Sequence, residues 1–404
     1  MLTALILIPL IGALLISFVK SGNTARTLAL TTTGIAFLWT IWLISQFDLS
    51  NSGLQFSEYL PWADAIGLSY SLGTDGLSTP LLALNAFLTG IVVYSSPANI
   101  LRSQLYYALI LLVNAGVAGA FLAQNLLLFV LFFELELIPI YLLIAIWGGE
   151  KRGYAGMKFL LYTALSGILI LAAFLGVVFL SGSLNFDYDS LASQNLSQRA
   201  QLIILSLLLV GLGIKIPLVP LHTWSPDAYV EASPPIAILL GGILAKLGTY
   251  GLIRFGLQMF PQTWSLVAPG LAIIGAISVM YGSLSAIAQQ DIKRMVAYSS
   301  IGHMGYILVA AAAGTELSIL GAVAQMVAHG LILALLFNLV GYFRGRGSNG
   351  GPWLNPRSPL QPRRDCRDQS RNPRTVPPQW SNEPHSWLLS RPKSEPENCP
   401  ASMV

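Results

Sequence analysis

Charge is scarce in this chain: 10% of its 404 residues are Asp, Glu, Lys or Arg, while 54% are hydrophobic. Soluble domains carry about a quarter charged residues, so the composition excludes an ordinary water-exposed fold. Cysteine is nearly absent. Both cysteines, Cys366 and Cys399, fall near the C-terminus and lack the spacing of a zinc or iron–sulfur site. No phosphate-binding glycine loop follows a strand pattern, and no apolar stretch carries paired haem-ligand histidines, so the residues offer no redox centre of their own. Nor does the net charge of +4 describe a basic surface. Ten of the 22 Lys and Arg lie beyond position 342, which leaves twelve against thirteen acids before it and argues against a nucleic-acid partner.

What the chain has in quantity is long apolar sequence, with a mean hydropathy of +0.66. Windows of about 20 residues, enough to cross some 30 Å of hydrocarbon, predict eleven membrane helices. They cover residues 2–19, 27–45, 77–97, 105–122, 125–147, 158–181, 201–219, 234–256, 265–288, 294–313 and 317–342. The first has no basic flank and no small-residue cleavage pattern, so it reads as a retained helix and not a signal peptide. The expected class is therefore an all-α polytopic membrane protein.

Loop charges set an expected orientation, because Lys and Arg are retained on the cytoplasmic side. With the N-terminus outside, the inner loops hold Lys20, Arg26, Arg102, Lys151, Arg152, Lys158, Lys293 and Arg294, and the outer loops only Arg199 and Arg254. The outer loop 46–76 carries Asp48, Glu58, Asp64 and Asp75 and no base. Lys293 and Arg294 read as topology anchors.

Three ionisable residues fall inside these apolar spans: Glu134 in FFELELIPIYLL, Lys215 in GLGIKIPLVPLHTW and Lys246 in ILAKLGTYGLIRF. Each costs roughly 2.5–3.5 kcal/mol at the bilayer centre, or about 9 kcal/mol together, which points to a proton or ion path. Gly211, Gly213, Pro217 and Pro220 punctuate the seventh span and predict a break around 215–220, where freed backbone must face protein or a wet cavity. Glu134 and Glu136 sit about 200° apart on a helix, so only one can face a given neighbour. A Glu134–Lys215 pair would favour ionisation of both partners against the penalty of burial. The same pair could act as a static bond between helices five and seven. Asp75, Asp227 and Glu231 border spans, where acids can gather protons or cap helices; DGLS at 75–78 and SPDA at 225–228 read as helix starts, which favours capping.

A set of longer motifs carries a family resemblance. ELELIPIYLL followed by WGGEKR (134–152), KIPLVPLHTWSPDA (215–228), ILAKLGTYGLIRF (243–255), DIKRMVAYSSIGHMGYIL (291–308), MVAHGLILALLF (326–337) and GTDGLSTPLLAL (73–84) resemble the antiporter-like, proton-translocating subunits of complex I. The wording is nearest to the chain 4 branch of the cyanobacterial and plastid NAD(P)H-quinone oxidoreductases, the photosynthetic NDH-1 type. The resemblance covers residues 1 to about 342. It implies two inverted five-helix repeats with a broken helix 7, the second repeat being incomplete here, and an ion path at their interface. It also implies a translocase subunit in which electrons move elsewhere: NAD(P)H or ferredoxin as donor, plastoquinone as acceptor, with FMN and Fe–S clusters, where present, in other subunits.

By the same resemblance Glu134 matches the glutamate that modulates its lysine partner, Lys215 the broken-helix lysine, and Lys246 the central lysine that passes protons laterally. His222, His303 and His329 fall where the family places polar or histidine groups near that axis, and an imidazole titrates close to neutrality. The partners implied are other membrane subunits of the assembly, the lipid bilayer and, through neighbours, quinone. The implied place is a thylakoid membrane with a lumenal N-terminus. Two features depart from the family. Tyr229 stands where relatives commonly have histidine, and residues 343–404 hold eleven prolines and ten bases with no apolar run, the composition of an unfolded tail. The tail reads as out-of-frame or alternative sequence on a family body of residues 1–342. A multisubunit Na+/H+ antiporter subunit, a carbon dioxide uptake version of the same complex, and a non-conducting scaffold are the alternative readings.

Overall fold

Runs of apolar residues longer than a bilayer crossing have one economical solution in lipid, a helix that satisfies its own backbone. The computed structural model describes residues 1–51, 53–182, 185–188 and 195–346. Ten helices among them are long and apolar enough to cross a membrane. Numbered in chain order, the elements are α1 Thr3–Ser17, α2 Gly22–Ser45, β1 Gln55–Ala63, β2 Leu68–Thr74, α3 Ser78–Ser95, α4 Ser103–Leu122, α5 Leu126–Leu135, α6 Leu137–Trp147 and α7 Arg152–Ser181. There follow α8 Gln198–Lys215 and α9 Trp224–Glu231, α10 Pro234–Leu257, then α11 Pro261–Ile287, α12 Ile292–Ala313 and α13 Glu316–Arg346. All eleven expected spans are present, although α1, at 15 residues, is shorter than a full crossing. The tail beyond residue 346 lies outside the described residues.

The expected loop 46–76 contains a structure that its mixed composition did not predict. β1 and β2 form an antiparallel hairpin, with Tyr59 opposite Ser71 and Leu60 opposite Tyr70. Its first strand has no buried position and its second is largely buried, so the pattern lacks a clean period of two along β1.

Two helices are interrupted where the sequence removes a backbone donor. Pro139 has no N–H for the Leu135 carbonyl, and the helix breaks at Glu136, which separates α5 from α6. At the second break Pro217 ends α8 at Lys215, as the sequence leads one to expect. The freed carbonyls are used: Leu218 N–H donates to Gly213 O at 3.0 Å, and the Trp224 indole N–H donates to Ile214 O at 2.8 Å. Ser278 of α11 receives Val219 N–H at 3.1 Å and tethers the broken segment.

α10 is the most enclosed helix, with 100% of its apolar window buried, while α11 leaves most of its surface outward with 28% buried. Two π-helical stretches, Leu240–Leu244 and Leu252–Leu257, bracket the short α-turns that carry Lys246. Such widened turns recur at functional sites. α7 packs on α8, α11 on α12 and α12 on α13. Outward side chains such as Leu38, Ile168, Ile273 and Met280 are apolar and suit a hydrocarbon solvent.

Candidate functional site

Lys215 ends α8 with its side chain 1% exposed, where the negative end of the helix dipole favours a cation. Its Nζ lies 2.6 Å from Glu136 Oε1, a carboxylate fully buried at the α5–α6 break. The Phe133 ring sits beneath the amine at 4.3 Å. Gly248 lets α10 approach: a Cβ there would stand 2.7 Å from Ile216 Cγ1 and 3.3 Å from Lys215 Cβ. The charged contact is short enough for a strong charge-assisted bond. Glu136 Oε2 has no hydrogen-bond partner among the described residues.

The direct partner of Lys215 is thus Glu136, whereas the sequence reading paired it with Glu134. The helix break supplies the reason, since it turns Glu136 inward. Glu134 is half-buried and points to α7, where a Cβ at Gly167 would overlap its carboxylate. The two acids do face different neighbours, as their spacing requires. A signal for Glu136 existed in the sequence: it precedes Pro139 by three residues, at the site of the break.

A second cluster lies on α10, α12 and α13. Lys246 Nζ donates to Gly241 O at 2.5 Å and lies 2.8 Å from His329 Nδ1. Both side chains are fully buried. Gly242 and Gly330 bring the two backbones together, since a Cβ at Gly330 would be 3.0 Å from Gly242 O. Small residues at such a crossing allow close packing in membranes. The His329 ring stands 5.1 Å from that of His303, and Gln325 Nε2 lies 3.0 Å from His303 Nδ1. A polar row therefore runs from buried Lys246 through His329 to half-buried His303 and Gln325. His329 Nε2 has no partner among the described residues. Gln325 was not singled out in the sequence, where it resembles any polar residue of a helix.

His222 does not join that row through any described contact. It lies in the linker between α8 and α9, against Tyr281 at 4.9 Å and Tyr298 at 6.5 Å between ring centroids.

The rim residues require several corrections. Arg254, counted as an outer-loop base, is 6% exposed within α10. It pairs with Asp75 at 2.5 Å and with Gln258 at 3.1 Å. Asp75 does cap α3, accepting from Leu77 N–H at 3.1 Å and Ser78 N–H at 3.0 Å. Burial opposes its charge, but Arg254 and the Ser78 bonds outweigh it and hold the carboxyl below its ordinary value of 3.8. Asp227 sits in the first turn of α9, yet its carboxylate makes ion pairs to Lys158 at 2.8 Å and Arg294 at 3.2 Å in place of a cap. Glu231 Oε2 accepts from Lys151 N–H at 2.9 Å and so caps α7. Lys293 is fully buried. Its amine donates to the Val230 carbonyl at 2.7 Å and to that of Ala232 beyond the end of α9, so it is a structural bond and not a solvated anchor.

A broken helix at membrane depth, a buried amine–carboxylate pair and a second buried lysine in a histidine row define an all-α polytopic membrane protein of antiporter-like fold. Residues 123–350 match the NADH:quinone oxidoreductase/Mrp antiporter transmembrane family, and the chain belongs to that family. It is 43% identical over 345 residues to NAD(P)H-quinone oxidoreductase chain 4 of Acaryochloris marina, and 44% identical over 345 residues to chain 4 1 of Thermosynechococcus vestitus. Each alignment covers 84% of this chain and 65% of the relative, so the chain spans about two-thirds of the length of those proteins. Respiratory complex I from Thermus thermophilus contains a similar chain: TM-score 0.76, 29% identity, 86% of this chain and 72% of that one. The Mrp complex from Dietzia sp. shares the fold, with TM-score 0.77 at 23% identity over 86% of this chain and 65% of that one.

Proposed function

We propose that the chain is a proton-translocating membrane subunit of a complex I type NAD(P)H- or ferredoxin-dependent quinone oxidoreductase. The observation that carries this reading is the row Lys246–His329–His303, buried at one end and half-buried at the other. A proton passes from lysine to histidine by breaking one N–H bond and forming another, with no other change to either side chain, and a row of such groups at bilayer depth is costly unless used. Buried atoms without a hydrogen-bond partner among the described residues, Glu136 Oε2 and His329 Nε2, are of the kind that bind ordered water.

In this reading Lys215 and Glu136 gate proton loading, with Glu134 as a second carboxylate. Lys246 passes the proton through His329 to His303, and His222 borders the loading side. Electrons move through cofactors of other subunits to a quinone, the acceptor that the names of the relatives print, and in a thylakoid that quinone is plastoquinone. The membrane is a thylakoid with the N-terminus on the lumenal side, an orientation supported by the basic inner loops. The body of residues 1–342 performs this work, and residues 343–404 are a Pro/Arg-rich tail of which the family match takes in only the first eight positions.

Redox-driven acidification in membrane vesicles tests the proposal. Lys246→Ala and Lys215→Ala should each reduce proton uptake by roughly a hundredfold, the scale of losing a proton-transfer group, in complexes that still assemble on native gels. Normal acidification in either assembled variant rejects the assignment. Uptake that depends on sodium would favour an Mrp-type exchanger.

A further inference from the structure

The seam between α7 and α8 holds an open groove of about 390 Å3, lined by Leu169 of α7 and by Leu202, Ile203, Ser206, Leu207 and Val210 of α8. Ile203, Ser206 and Val210 are exposed, so the groove opens on the outward surface of the bundle. Its one hydroxyl is already used, since Ser206 Oγ donates to Leu202 O at 2.7 Å. The walls therefore offer hydrocarbon. At the deep end the groove is closed by the approach of the two helices: a Cβ at Gly211 would stand 2.9 Å from Ser166 O and 3.2 Å from Leu169 Cβ, and Ser166 Oγ donates to Gly211 O at 2.7 Å. Toward the other end the same stripe of α8 reaches exposed Arg199, which precedes Leu202 and Ile203 by three and four residues and so shares their face. Arg199 makes no ion pair among the described residues.

From Arg199 to Val210 the helix rises about 16 Å at 1.5 Å per residue, close to half of a hydrocarbon core of some 30 Å. We propose that this groove is a phospholipid site, which takes one acyl chain between α7 and α8 and sets an anionic headgroup against Arg199. A groove of one-leaflet depth with an apolar lining fits a hydrocarbon chain. The guanidinium at its mouth selects an anionic head over a zwitterionic one, because it offers several donors and a fixed charge to a phosphate. A membrane helix from another subunit would run through both leaflets, whereas the groove stops where Gly211 meets α7. The bound chain packs on α8, the helix that ends at Lys215, and so couples lipid to the segment that carries that amine. The site is separate from the proton row and requires only that α7 and α8 span a membrane.

Photo-crosslinking of the full chain in its native membrane complex, placed in phosphatidylcholine vesicles, tests the site. Two trace probes carry the same diazirine on the acyl chain, one a phosphatidylglycerol and the other a phosphatidylcholine. Peptide mass spectrometry should find phosphatidylglycerol adducts on Leu169 and residues 202–210 at about five times the phosphatidylcholine yield, the ratio equivalent to about 1 kcal/mol for a base near the surface. Arg199→Glu should bring the two yields together. Ser206→Trp fills the groove with an indole and should lower both. Equal yields from the two lipids in the unsubstituted complex overturn the proposal, leaving ordinary boundary lipid, and that comparison needs no variant to fold. Absence of lipid adducts from these residues overturns it as well, the result expected if a neighbouring subunit seals the seam.

Discussion

Lys215 and Lys246 are the same residue type at nearly the same burial, yet their surroundings differ in kind. Lys215 touches a carboxylate at 2.6 Å, whereas Lys246 touches a backbone carbonyl at 2.5 Å and a histidine nitrogen at 2.8 Å. Sequence hydropathy treats them alike. The contrast shows that one amine is fixed by an anion and the other is held by neutral acceptors. A proton can therefore leave Lys246 without stranding a counter-charge. The first site is suited to holding a charge and switching it, the second to handing a proton along.

The contrast can be broken by removing each partner in turn. Glu136→Ala leaves the Lys215 amine without its direct counter-ion in a closed pocket and should cost about 3–5 kcal/mol, the penalty of breaking a buried ion pair. Unfolding in graded denaturing detergent measures it, and a loss below about 1 kcal/mol would show that Lys215 is not held by Glu136.

Arg254, also buried and also paired with an acid, should behave like Lys215. Asp75→Asn should cost about 1.5–3 kcal/mol, the range for hydrogen bonds to charged groups. The folded Asp75 carboxyl titrates below its ordinary value of 3.8, so its contribution is complete above about pH 4. It drains as pH falls through the folded value. An acid titration of stability should therefore lose part of its slope in Asp75→Asn, and an unchanged slope would remove the pair from the account.

Lys246→Met strands no charge, only the Gly241 carbonyl and His329 Nδ1, so its stability cost should be about 1–3 kcal/mol while translocation fails. A loss as large as that of Glu136→Ala would erase the distinction between the two lysines. Lys158→Met should have the smallest effect, below about 1 kcal/mol and weaker still in high salt, because its pair with Asp227 is about one-fifth exposed on each side. Thermal unfolding at two ionic strengths checks it.

Much of the architecture was legible in the chain. The spans could be counted because an apolar run of bilayer length has little alternative to a helix, and the break after Lys215 could be placed because Pro217 cannot donate to Gly213 O. The hairpin at 55–74 was not legible, since its first strand has no buried position. Arg254 and Lys293 were misread for a related reason: a base near a span end looks the same whether it meets water or is folded back onto buried carbonyls and acids. His222 was grouped with His303 and His329 by position in the motifs, but ring contacts with Tyr281 and Tyr298 place it in different surroundings.

Hydrophobic length, proline position and the cost of charge in lipid determined by themselves that this chain is a bundle of membrane helices with ionisable groups in its interior. Which acid meets which amine was decided only by the tertiary structure. Helical periodicity assigns Glu134 and Glu136 to opposite faces without saying which face turns inward. The break at Glu136 settles that by meeting Lys215, and the close approach of Gly242 to Gly330 likewise brings Lys246 to His329, each through contacts between residues far apart in sequence.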